Sequence, residues 1–80
     1  MNISIATNSY GDYEAHKTGC QHLRTKLHDA WQFDDFETRL DVAVSLYADQ
    51  IDEGSMDEED ALGYLHFGPC VTLPERGVAL

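Results

Sequence analysis

Two short segments of this 80-residue chain share one spacing, His16-Lys-Thr-Gly-Cys20 and His66-Phe-Gly-Pro-Cys70. Imidazole nitrogen and thiolate sulfur are the ligands that tetrahedral Zn²⁺ prefers, and two His-x3-Cys pairs would supply four of them. Cys20 falls where a helix is expected to begin, and a helix N-terminus favours thiolate. Gly68-Pro69 is a turn sequence able to fold His66 and Cys70 together. Neither pair has the compact Cys-x2-Cys form of a zinc ribbon. The same residues therefore admit two further readings: a Cys20–Cys70 disulfide or close thiol pair, and ordinary core cysteines. Nucleophilic catalysis would pair Cys20 with His16 or His22, but no oxyanion-hole glycine motif or third orienting group accompanies them. Asp34/Asp35 and Glu58/Glu59 suit helix caps better than acid–base work. No phosphate loop, dinucleotide glycine motif or calcium loop is present. Neither enzymatic activity nor a cofactor is expected, zinc being the one ion for which ligands are present.

A second candidate is electrostatic. Asp34 to Glu53 reads as one long helix, capped by Asp34 with Glu37 three residues on. At 100° per residue, Phe36, Leu40, Ala43, Val44, Tyr47 and Ile51 share an apolar face. Asp34, Glu37, Asp41, Asp49 and Asp52 share the opposite one. Such a stripe would run about 27 Å, and the cluster Asp57 to Asp60 extends its field. It would suit a basic patch on another protein, and could imitate a run of phosphates. Val42 and Leu46 lie one turn apart on the flank. They would serve as an apolar anchor at a partner, or against a second copy in a structural homo-oligomer.

The elements that must position these groups follow from periodicity. Asn2 to Thr7 alternates as a short strand, Asn8 to Asp12 carries turn residues, and Tyr13 to His16 returns as a second strand. Thr18 with Gln21 forms a capping box, and Cys20, Leu23, Leu27, Ala30 and Trp31 make a helical stripe. Gly54 ends the central helix, Ser55 with Glu58 opens a third helix through about Leu65, and Gly68-Pro69 stops it. Cys70 to Leu73 is strand-like. The expected fold is α+β, three helices packed on a small two- or three-stranded antiparallel sheet formed by the N- and C-terminal segments. Residues 1–74 would form a single compact domain and 75–80 a flexible tail.

Composition narrows the partners. Fifteen acidic residues oppose five Lys plus Arg, a net charge of −10, so nucleic acid and anionic membranes are repelled at long range. There is no 18-residue apolar run and no basic start with an apolar core as in a signal peptide. A reducing, cytoplasmic location is expected. The 42% apolar content is ample for a core, although so short a domain is often helped by a metal, a staple or a second subunit.

The motif His16-x-x-Gly19-Cys20 at a helix start, with Phe67-Gly-Pro69-Cys70-Val-x-Leu-Pro74 near the end, resembles the small acidic accessory proteins of actinobacterial phages. The likeness covers the layout of most of the chain and these two motifs in residues, and it transfers no site. It implies a binder, inhibitor or modulator of a host protein, acting in the host cytoplasm. The sequence thus points to a small acidic protein-binding module. Its expected contacts are Asp34, Glu37, Asp41, Val42, Leu46, Asp49 and Asp52, with His16, Cys20, His66 and Cys70 as the metal candidates.

Overall fold

A computed structural model describes residues 1–21, 23 and 28–77. The elements are β1 (Asn2–Thr7), β2 (Tyr13–Lys17), β3 (His28–Asp35), α1 (Arg39–Leu46), α2 (Ala48–Asp52), α3 (Glu58–Tyr64) and β4 (His66–Phe67). They form one four-stranded sheet in the order β3-β1-β2-β4. β1 and β2 are a regular antiparallel hairpin in which Ile5 faces Ala15 and Ser4 faces His16. Its turn is closed by Asn8, whose carbonyl accepts from Gly11 at 3.0 Å, with Gly11 at φ 83°. β4 joins the other side of β2 in parallel, Glu14 beside His66 and Ala15 beside Phe67.

This corrects the expected sheet. It has four strands and is mixed, and the strand at Cys70 to Leu73 does not form: Pro69 and Cys70 make a turn, and the last strand is His66–Phe67. The expected helix from Thr18 to Trp31 is shortened at both ends: Leu23 is helical, but Thr18, Gly19 and Gln21 lie in turns and the chain is already a strand at His28. Ala30 and Trp31 belong to β3, antiparallel to β1 with Trp31 opposite Ile5. Residues 22 and 24–27 of that expected helix lie outside the described ones. β3 carries two irregularities, one around Phe33 and one at Asp29–Ala30, where Asp29 takes φ 52°. Each inserts a residue, so the period-2 pattern of a strand is broken twice and imitates helical spacing.

The expected central helix is split as well. Its first residues, Asp34 and Asp35, finish β3, and the cap is Thr38, whose Oγ1 accepts from the Asp41 N–H at 3.1 Å. Tyr47 interrupts the helical run between α1 and α2. Gly54 ends α2 at φ 79°, as its position predicts. α3 starts one cap later than Ser55 suggests: Asp57 accepts from the Asp60 N–H at 2.8 Å. No helix among the described residues is long and apolar enough to cross a membrane.

Successive strand residues point to opposite faces. Ile3, Ile5 and Ala15 point to one face, where they meet Val42, Ala43, Ala61 and Leu65 in the core. Fully burying each of the larger side chains contributes about 1.5–3 kcal/mol. Ser4 and His16 share the opposite face, also buried, with Ser4 Oγ 2.9 Å from Thr18 Oγ1. Beyond the last core residues, the Leu40 N–H donates to the Glu75 carbonyl at 2.9 Å, and the Arg76 guanidinium pairs with Glu59. Residues 78–80 of the expected tail lie outside the described ones.

Candidate functional site

The sheet separates two groupings of chemistry-bearing side chains. The first surrounds His16. β2 ends at Lys17 and the chain turns through Gly19 (φ 87°), where the Cys20 N–H donates to the Lys17 carbonyl at 2.9 Å. From the other end of the sequence, Gly68 is fixed against β2 by its N–H to the Ala15 carbonyl at 2.9 Å, and its own carbonyl accepts from Val71 at 3.0 Å. The turn between them carries Cys70 to the same place. One ligand atom each from His16, Cys20 and Cys70 then lies within 4.8 Å of the others. Gly68 cannot be larger, because a Cβ there would collide with the His16 ring at Cε1 and Nδ1.

Hydrogen bonds orient His16 and Cys70. His16 Nε2 is 2.9 Å from Glu14 Oε1, and the other Glu14 oxygen accepts from Asn8 Nδ2 at 2.9 Å. A carboxylate accepts only, so this contact places the proton on Nε2 and turns the Nδ1 lone pair toward Cys70 Sγ, 3.4 Å away. The Lys17 backbone N–H points at the same sulfur, at 3.3 Å. The His16 partner holds the Glu14 carboxyl below its ordinary value of 4.5, against the opposing effect of burial, with Asn8 helping. Burial pushes the Cys70 thiol up; the Lys17 N–H works against this, and the neighbouring Cys20 thiol adds to it.

Of the four residues expected to ligate a metal, the structure therefore assembles three and leaves out His66. That residue is exposed, with Nε2 3.9 Å from Asp12 Oδ2. The spacing rule fails because the parallel pairing sets His66 beside Glu14, two residues along β2 from His16, with its ring toward Asp12 at the hairpin turn.

The second grouping lies on the helical side of the hairpin. A cavity of about 300 Å³ is lined by Tyr13, Tyr47, Met56, Tyr64, Asp12 and Asp60, with Gly11 and Ser55 at its edge. Tyr13 stands edge-on to Trp31, ring centroids 6.0 Å apart, and Tyr64 is 64% exposed. The Tyr47 phenol is raised above 10.0, first by burial and then by the nearby Tyr13 and Asp12 groups. The sequence placed Tyr47 on an apolar helix face and Asp60 in an acidic cluster, but joined none of these residues into a site. Their one shared signal was the excess of tyrosine, four in 80 residues, which carries no position.

The expected acidic stripe is redistributed. Asp34 lies on β3, Glu37 in the connection after it, Asp41 on α1, and Asp49 and Asp52 on α2. All five are exposed, but no single helix aligns them, which withdraws the 27 Å row estimated above. Val42 is 0% exposed and Leu46 is half-buried against the core. The anchor role proposed for Val42, toward a partner or a second copy, is corrected: the sheet already occupies that side chain.

No family model matches the chain, and neither a curated protein nor a solved structure matches it.

The Glu14–His16 contact sets a pH dependence. A carboxyl whose folded pKa is depressed contributes stability above its unfolded pKa, and loses it as pH falls through the folded value. Wild type should therefore lose more melting temperature than Glu14→Gln between about pH 5 and about pH 3. Parallel curves for the two proteins in thermal melts would show that the contact contributes nothing.

Proposed function

We propose that this chain is an acidic protein-binding module that docks a basic segment of another protein, seating one lysine or arginine side chain between Tyr13, Tyr47 and Tyr64. The observation that carries this reading is the pocket itself: three tyrosines, one thioether and two carboxylates on a chain of net charge −10. Aromatic faces attract cations by roughly 0.5–2 kcal/mol each, more as water is excluded. Met56 supplies a polarizable wall for the aliphatic stem, and Asp12 and Asp60 flank the site for the charged head. The exposed Asp34, Glu37, Asp41, Asp49 and Asp52 add the long-range field that draws a basic partner in. Covering a basic surface blocks its other anionic ligands, so inhibition or modulation of that partner is the natural outcome of binding.

The test uses the hexalysine peptide, with hexaglutamate as control, read by fluorescence of the single tryptophan, Trp31, which touches Tyr13. Hexalysine should bind, hexaglutamate should not, and affinity should fall steeply as salt shortens the screening length. Tyr64→Ala with Asp60→Asn, both at exposed positions, should weaken binding at least about tenfold, the equivalent of about 1.4 kcal/mol. Equal affinity in that double variant would remove the pocket from the reading.

A further inference from the structure

We propose that His16, Cys20 and Cys70 form a three-ligand zinc site, with Glu14 as the carboxylate behind the histidine and a fourth position left for water or a small exogenous ligand. This site shares no residue with the tyrosine pocket across the sheet. Zn–N and Zn–S bonds of about 2.0–2.1 and 2.3 Å at a tetrahedral centre put a ligating nitrogen and sulfur about 3.6 Å apart, and two sulfurs about 3.8 Å apart. Nδ1 of His16 and Sγ of Cys70 are already at 3.4 Å, and all three ligand atoms lie within 4.8 Å. Closing on an ion needs only small side-chain rotations.

What surrounds the ligands is what a zinc histidine and a zinc thiolate require. A metal-bound imidazole donates its other N–H to a carboxylate or carbonyl, which fixes tautomer and ring plane. His16 is 2% exposed, and its Nε2 is held by Glu14 at 2.9 Å, with Glu14 itself held by Asn8. A zinc thiolate keeps a residual negative charge that backbone amides stabilise, and the Lys17 N–H lies 3.3 Å from Cys70 Sγ. The two cysteines come from turns at opposite ends of the sequence, both pinned to β2 by backbone bonds. A bound ion would therefore tie the Gly68–Cys70 turn to the end of the hairpin. Binding releases the thiol protons to solvent and changes no oxidation state. Cys20 and Cys70 are each partly exposed, which leaves the remaining coordination position within reach of solvent.

The experiment is native mass spectrometry of the reduced protein titrated with zinc, paired with cobalt substitution read by absorption. One zinc per chain is expected, with the d–d bands of tetrahedral cobalt and a thiolate-to-cobalt charge-transfer band. Cys70→Ser should lower zinc affinity at least about 100-fold, and Glu14→Gln about 10–100-fold, whereas His66→Ala should leave it unchanged. Because Cys70→Ser could fail to fold, the wild-type protein carries a second readout: its melting temperature should rise on adding zinc and fall back in chelator. The proposal is overturned by absence of the thiolate–cobalt band, or by a His66→Ala loss equal to that of Cys70→Ser. A two-dalton mass deficit that persists in reductant, with no metal uptake, would overturn it in favour of a Cys20–Cys70 disulfide.

Discussion

Val42→Asp is expected to unfold the protein at 25 °C. Val42 is one of the three largest fully buried side chains, with Ile3 and Ile5, and it sits in the layer joining α1 to the sheet. An aspartate there must be buried charged or take up a proton, and it leaves polar atoms among Ile, Ala and Leu side chains. Burying such a group unpaired costs about 4 kcal/mol or more. A domain of this length has a total stability of roughly 4–12 kcal/mol at about 0.05–0.15 kcal/mol per residue. The expected readout is collapse of amide dispersion in the NMR spectrum and loss of a cooperative denaturation transition. Val42→Ala should stay folded with a lower midpoint, because it removes only methyl groups. A well-folded Val42→Asp protein would mean that α1 packs with another face inward.

Gly68→Ala is expected to cost about 2–4 kcal/mol and to disconnect His16. The new methyl would collide with the imidazole at Cε1 and Nδ1, and the backbone of Gly68 cannot retreat easily because it bonds both Ala15 and Val71. The ring must swing, and the swing takes Nε2 from Glu14 and Nδ1 from Cys70. Urea denaturation measures the cost, and the His16 ring resonances should move with it. Gly63→Ala is the matched control. Gly63 lies inside α3 with open space where a Cβ would go, so alanine should stabilise the helix by about 0.5–1 kcal/mol. Equal effects at the two glycines would contradict the packing described around His16.

How far the fold could be read in advance depended on how local its determinants are. β1, β2 and the turn at Gly11 show in the sequence because Ile3 and Ile5 alternate and Asn8 to Asp12 is turn-forming throughout. Gly54 shows because only the chemistry of a helix end requires it. β3 does not, since its bulges at Asp29 and Phe33 scramble the alternation, and its pairing with β1 is a tertiary decision. Thr38 was hidden by Asp34 four residues earlier, an equally good cap that the sheet recruits instead. The cluster of His16, Cys20 and Cys70 was half legible: the residue types and the Gly-Pro turn pointed to it, while the role of Glu14 rests on a register that places it two residues before His16 on the same face. The tyrosine pocket was illegible, because Tyr13, Tyr47 and Tyr64 come from three elements and meet only through tertiary packing.

β3 has one more consequence. It is an edge strand, eight residues long, and all of its side chains but Phe33 are exposed. Among the described residues no strand covers its outer side, so its free N–H and C=O groups are a template for another copy. Asp29, Asp34 and Asp35 on that strand act as electrostatic gatekeepers against such joining. Replacing them with asparagine removes the guard while the backbone template stays. In such a variant shelf life, rather than fold, becomes the weak point: fibrils seeded through β3 should appear there first, and in the wild type only when high salt screens the same three charges.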